Sequence, residues 1–117
     1  MAIRRVLTKY LSESQSVANG GTGYTAVVNM RAATGYAAIL YTEELAGSSV
    51  TITQQCSLDG DTFYDPTDKD GSAVGAVQAA CTATGYFQYS PVIAPYIRYK
   101  VVAAADSTFS MKLVSQE

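Results

Sequence analysis

From Val50 to Asp65 the chain reads Val-Thr-Ile-Thr-Gln-Gln-Cys-Ser-Leu-Asp-Gly-Asp-Thr-Phe-Tyr-Asp, an alternating run that meets an Asp-Gly pair and resumes in aromatics. Glycine adopts the positive φ of a tight turn without steric cost, so Asp-Gly between such runs is a strong short-range hairpin signal. A second segment, Tyr96-Ile-Arg-Tyr-Lys-Val-Val102, answers it downstream with Ile97, Tyr99, Val101 and Ala103 on one face and Arg98 and Lys100 on the other. Two long strands with period-two patterning commit the chain to sheet, and the remainder follows the same rhythm.

Val50, Ile52 and Cys56 share a face opposite Thr51, Thr53 and Gln55. Tyr24, Ala26, Val28 and Met30 alternate with Thr25, Val27 and Asn29, and after a break at Thr34-Gly35 a largely apolar strand runs from Tyr36 to Thr42. Tyr86–Ser90 reads as a strand, and Pro91 and Pro95 bracket a stiff linker. Phe109, Met111 and Leu113 alternate with Ser110 and Lys112, which predicts a terminal hairpin with Tyr96–Ala103 through the turn at Ala105-Asp106-Ser107. Residues 65–85 have no clear period and predict a loop with a short strand; a loop this long is usually functional or mobile. Thr-Gly-Tyr recurs at 22–24, 34–36 and 84–86, but the unequal spacing argues for convergent turn chemistry rather than a repeat.

These elements predict an all-β fold, an antiparallel sandwich of jelly-roll or immunoglobulin-like type with seven to nine strands. The expected core is Val28, Ile39, Ile52, Phe87, Ile97, Tyr99, Val101, Phe109, Met111 and Leu113. At 117 residues, 48% of them apolar, the chain is one domain with enough material for a real core. Residues 19–117 form the sandwich in this reading. Residues 1–18 are either its first strand or an arm; Asn19-Gly20-Gly21 suits a hairpin into the next segment, and a short helix is the other local possibility. Ile3, Val6, Leu7, Tyr10 and Leu11, with Arg4, Arg5 and Lys9, would as an arm leave an apolar stripe in water. An arm would therefore pack on another protein. Arg98 and Lys100 add a cationic pair that is either solvated or matched by acidic groups on a neighbouring subunit.

The chemistry excludes more than it offers. Without histidine the usual general base near neutral pH is missing, and no G-x-S-x-G elbow is present, so an enzyme is not expected. Cys56 and Cys81 alone cannot complete a tetrahedral metal site; they read as two buried thiols or, more sharply, one late disulfide. Asp59, Asp61, Asp65, Asp68 and Asp70 do not follow the order of an EF-hand and read as turn residues, with a weak Ca²⁺ site as the alternative. No cofactor, metal or small-molecule substrate is implied. A net charge of −2 gives no footprint for nucleic acid or anionic lipid. No apolar run approaches a membrane span, and the start lacks the apolar stretch of a signal peptide, which suggests synthesis in a cytoplasm. The nine tyrosines could form a stacking platform for sugar rings or, more simply, pack in sheet faces and a protein interface.

Ser16-Val-Ala-Asn-Gly-Gly-Thr22, then Ser57-Leu-Asp-Gly-Asp-Thr-Phe-Tyr64, then Tyr89-Ser-Pro-Val-Ile-Ala-Pro-Tyr-Ile-Arg-Tyr-Lys-Val101 give an order of segments that resembles the small β-sandwich virion structural proteins of tailed bacteriophages. The resemblance covers roughly residues 12–115. It implies a capsid decoration (cement) protein that binds the major capsid protein or another virion protein and stabilises the head. A tail, neck or appendage protein is the alternative within the virion, and a carbohydrate-binding module the alternative outside it. By the same resemblance the chain is a homo-oligomer, with a trimer favoured, residing in the virion at the capsid surface. The expected interface residues are Ile3, Arg4, Arg5, Val6, Leu7, Tyr10, Leu11, Arg98 and Lys100.

Overall fold

The computed structural model describes the backbone of residues 6–30, 34–43 and 49–116, and the side chains of 8–30, 38–42 and 49–115. The described residues form nine strands and no helix: β1 (Val6–Val17), β2 (Thr22–Tyr24), β3 (Val28–Asn29), β4 (Thr34–Glu43), β5 (Val50–Ser57), β6 (Gln78–Cys81), β7 (Gly85–Tyr89), β8 (Tyr96–Ala103) and β9 (Ser107–Gln116). They make two antiparallel sheets, ordered β1-β9-β4-β7 and β2-β8-β5-β6, with β3 also on β8.

The pairing is nested. First meets last (β1–β9), β2 and β3 meet β8, β4 meets β7, and β5 meets β6. A long antiparallel ribbon rolled on itself gives this order, and rolling adds the contacts β4–β9 and β5–β8 that complete the sheets. With β2 and β3 taken as one broken strand, the fold is an eight-stranded jelly roll rather than an immunoglobulin-like sandwich.

Nested pairing overturns two expected hairpins. Ala104–Asp106 carries the chain from β8 in one sheet to β9 in the other, and Ala18–Gly21 does the same between β1 and β2. The two crossovers lie side by side: the Asn19 N–H donates to Asp106 Oδ1 at 2.8 Å, and the Gly20 N–H to the Ala103 carbonyl at 2.9 Å. At the approach Gly23 leaves little room, because a Cβ there would stand 2.8 Å from Gln15 Nε2 and Val17 Cγ2, and both side chains would have to shift. The Asp-Gly hairpin also shrinks. Only Cys56 and Tyr64 exchange backbone bonds, at 2.9 Å each, on the side of β5 that β6 leaves open beyond Ile52.

The alternation expected over Tyr24–Met30 breaks in the middle. Tyr24 stands opposite Lys100 and Val28 opposite Ile97, so four steps on one strand match three on the other. One extra residue inverts the face: Thr25 and Val28 are buried while Tyr24 and Ala26 are exposed. The Ala26 N–H turns to the Leu11 carbonyl of the opposite sheet, which fixes the bulge.

The core lies between the sheets. Ile39, Tyr41, Phe109, Met111 and Leu113 meet Val50, Ile52, Ile97, Tyr99 and Val101, all essentially inaccessible to water. Each such side chain contributes about 1.5–3 kcal/mol on burial. Tyr41 stacks on Phe109 with ring centroids 5.8 Å apart. Of the expected core residues, Phe87 alone is only partly buried, because β7 is an edge strand. Cys56 and Cys81 are both thiols, not joined as a disulfide. Cys81 pairs with Val50 and Cys56 lies six residues further along β5, which at about 3.4 Å per residue is far beyond disulfide reach.

Candidate interaction site

On the outer face of the β2-β8-β5-β6 sheet, Tyr24, Gln55, Arg98 and Lys100 project together, and the loop after β5 folds over them. The Arg98 guanidinium lies between the rings of Tyr24 and Phe63, 4.2 Å from each centroid. Its Nε donates to Gln55 Oε1 at 2.8 Å, and Gln55 Nε2 donates to Asp65 Oδ1 at 2.9 Å. The other oxygen of Asp65 accepts from Lys100 Nζ at 2.8 Å. These contacts, the Lys100 ammonium first, hold the Asp65 carboxyl below its usual range. The acidic partner that the sequence left to solvent or to a neighbouring subunit is therefore within the chain, in the loop that the sheet itself anchors.

Asp59 and Asp68 of this loop serve backbone geometry. Asp59 Oδ1 accepts from the N–H groups of Asp61 and Thr62, at 2.9 and 3.0 Å, and from Ser57 Oγ at 2.9 Å. Its carboxyl is lowered to about 2, mainly by the Thr62 and Asp61 N–H groups. Asp68 Oδ1 likewise receives the N–H groups of Asp70 and Ser72. Among the described residues no three His, Cys, Asp or Glu side chains converge as metal ligands would.

The outer face of the other sheet has a different character. Strand register places Tyr10, Lys112, Leu40 and Tyr86 in one row across all four strands, and Thr8, Val114, Ala38 and Gln88 in the next. Tyr10 and Tyr86 are each 62% exposed, and the Lys112 ammonium sits 4.8 Å above the Tyr10 ring. In these rows Lys112 carries the only charge. Tyrosine with little charge is the composition that protein interfaces favour. The edge beside it is guarded: β1 shifts register between Tyr10 and Ser12 and again before Gln15, and Ser14 has a φ of 45°. Such bulges make a poor template for adding a strand.

The sequence-derived interface residues thus scatter. Ile3, Arg4 and Arg5 lie outside the described residues. Val6 and Leu7 belong to β1, opposite Gln116 and Ser115 of the same chain. Tyr10 is on the exposed row. Leu11 is in the core at 4% exposure and cannot meet a partner. Arg98 and Lys100 are engaged on the opposite face. The row through Leu40 and Tyr86 escaped sequence reasoning because it spans strands far apart in the chain.

A third feature sits at the β6/β7 edge. Gln54, Pro66, Val74, Val77, Tyr89 and Val92 line a cleft of about 180 Å³. The hairpin tip Asp68–Gly71, closed by Gly71 at a φ of 85°, follows directly from Pro66. Val74 and Ile93 nearby are 52% and 98% exposed.

No family model and no curated protein sequence matches the chain. Solved structures do. The SPBc2 prophage-derived protein YomS superposes with a TM-score of 0.66 at 8% identity, over 100% of this chain and 97% of that one. A chain in the structure of infectious bursal disease virus, Gx strain, gives 0.58 at 15% identity over 97% of this chain but only 32% of its own length. The Yersinia pseudotuberculosis-derived mitogen gives 0.50 at 9% identity, covering 95% and 86%. At such identities the likeness is one of fold: the chain is a jelly roll of the kind found, end to end, in a prophage-derived protein.

Proposed function

We propose that this chain is a structural protein of a tailed-bacteriophage virion, a decoration protein that lies on the assembled capsid and reinforces it. The observation that carries the reading is the whole-length match of its jelly roll to a prophage-derived protein. The low-charge row Tyr10–Lys112–Leu40–Tyr86 supplies a surface suited to lasting contact with a shell, and it is this face that meets the capsid in our reading. The role needs adhesion and longevity, not turnover, and we assign the chain no reaction, cofactor or metal. Its partners are the major capsid protein and other copies of itself, with a trimer favoured, and its place is the virion surface.

Purified particles test the proposal. Copy number on the scale of the major capsid protein, and binding of the free chain to undecorated shells, are the expected results. A few copies per particle would move the chain to the tail or neck. Absence from particles, or glycan binding in place of shell binding, would end the proposal. Within a successful outcome, Tyr86→Asp should abolish shell binding while leaving the thermal transition in place, because Tyr86 contributes little to the core.

A further inference from the structure

Among the described residues four strands, β1, β7, β2 and β6, end the two sheets, and three of them resist a further partner. β1 carries two register shifts and the positive φ of Ser14. β2 is three residues long, and the bulge at Thr25–Val27 separates it from β3. β6 has four residues and meets β5 across a register shift between Val50 and Ile52. β7 is built differently. Its five residues run in unbroken register with β4, from Tyr41 opposite Gly85 to Ala37 opposite Tyr89. Among the described residues no strand pairs with its far side. Alternate residues of an antiparallel strand turn both N–H and C=O away from a given neighbour, so this far side presents a row of backbone donors and acceptors. Gly85-Tyr-Phe-Gln-Tyr89 holds neither charge nor proline, the residues by which edges discourage pairing.

We infer that β7 pairs antiparallel with β7 of a second copy about a two-fold axis at Phe87, joining two four-stranded sheets into one continuous sheet. The strand's own pattern selects a second copy as the occupant. An axis at its centre lets all five residues pair: Phe87 with Phe87, Tyr86 with Gln88 and Gly85 with Tyr89. A slip of one residue would set the outward side chains of one strand level with the inward ones of the other. In the full register the exposed side chains, Tyr86 and Gln88, share one side in both copies. No like charges meet, because the strand has none. Phe87, only partly buried at the edge of its own sheet, gains an aromatic cross-strand partner in its twin. The contact is isologous and joins copies in pairs, so a three-fold grouping on the shell uses other surfaces. It deepens the reading of the chain as a decoration protein. The row Tyr10–Lys112–Leu40–Tyr86 of one copy continues into Gln88, Ala38, Val114 and Thr8 of the other, which doubles the width of the face assigned to the shell.

Sedimentation velocity and amide exchange on the full chain test it. The chain should sediment at twice the mass of a Tyr86→Lys/Gln88→Lys variant, in which each lysine faces a lysine across the axis. Tyr86→Glu/Gln88→Lys sets opposite charges across the same axis and should keep the doubled mass. Both side chains are exposed, so the thermal transition in dilute solution should hold in both variants. As the wild-type concentration rises, alternate amides within residues 85–89 should slow their exchange, which pairing through any other surface would not produce. Equal mass for the wild type and the double-lysine variant overturns the inference. So does loss of the doubled mass in Tyr86→Glu/Gln88→Lys, or exchange along β7 that ignores concentration. Pairing is read in free solution, apart from shells. A chain that pairs but coats no shell tells against decoration and leaves the pairing intact. One that coats shells yet never pairs in solution overturns the pairing and leaves decoration standing.

Discussion

The hydroxyl groups of Tyr89 and Tyr99 meet inside the sandwich, one from each sheet, with their rings edge-to-face at 78° and centroids 6.4 Å apart. The Tyr89 hydroxyl donates onward to Gln54 Oε1, which leaves Tyr99 as donor to Tyr89. Burial is the largest influence on both phenols and raises both above their ordinary range.

This pair makes stability fall in alkali. In the folded chain both phenols stay protonated, whereas in the unfolded chain they ionise near pH 10. Their contribution is fully present below that pH and is lost as the pH rises through it toward the raised values of the folded state. Urea unfolding at neutral pH and at about pH 11 should show a drop that shrinks in Tyr99→Phe and in Tyr89→Phe. At neutral pH Tyr89→Phe should cost more, about 1–3 kcal/mol, because it strands the buried Tyr99 hydroxyl. Tyr99→Phe removes one bond and strands no donor, at about 1 kcal/mol. A larger loss in Tyr99→Phe than in Tyr89→Phe would mean that the proton order is reversed.

At the acid end the group to watch is Asp59. Its carboxyl lies at about 2 in the folded chain, against 3.8 ordinarily. The contribution of the charged form is present above the ordinary value and is lost as pH falls toward the folded one, so the window is about pH 4 to 2. Asp59→Asn keeps an acceptor for the N–H groups of Asp61 and Thr62 but does not titrate. Acid unfolding followed by tyrosine fluorescence should be less steep in that variant across this window. An unchanged acid limb would assign acid sensitivity to other carboxylates.

How far the sequence foretells this fold depends on the range of the contact. The bounds of Val50–Ser57 and Tyr96–Ala103 are legible to the residue, because alternation is a property of each strand alone. In the first of them, however, burial stops alternating after Gln54, where Gln55 and Ser57 are buried and Cys56 only partly so. The partners of strands are another matter. Ser107–Gln116 follows Tyr96–Ala103 after a three-residue turn, and adjacency suggests a hairpin, yet the rolled ribbon sends the two to opposite sheets. The bulge at Thr25–Val27 inverts a face through one residue, which no period reveals. For the candidate site the pattern repeats. Arg98 and Lys100 are visibly outward in the sequence, but Asp65, Phe63 and Tyr24 reach them only through the fold.

The cluster around Arg98 is where geometry, not charge alone, should matter. A lysine at this position keeps the cation but loses the flat guanidinium that fills the space between Tyr24 and Phe63, and loses the Nε bond to Gln55. Arg98→Lys should therefore destabilise by roughly 1–2 kcal/mol, the scale of cation–π contacts at a partly exposed site. Part of the loss should be local. Amide exchange should quicken for Phe63 to Asp65, which the cluster pins to the sheet, before the core strands respond. A stability unchanged from wild type would show that an ammonium group and water replace the guanidinium fully.

Two N-terminal truncations distinguish the strand from the residues before it. Removing residues 2–11 takes away the regular half of β1, including Leu11 in the core, and uncovers the backbone of β9 opposite Val6–Tyr10. A buried leucine alone is worth about 2–5 kcal/mol, and the stability of a domain this size is only about 5–15 kcal/mol. The longer truncation should leave a chain with no cooperative thermal transition and a tendency to aggregate through the uncovered edge. Removing residues 2–5 keeps every β1–β9 pair and should preserve the transition. The comparison is read by far-ultraviolet circular dichroism during heating. If the longer truncation melted as cooperatively as the intact chain, β1 would be dispensable to the sandwich and the arm reading of the whole N-terminal segment would return.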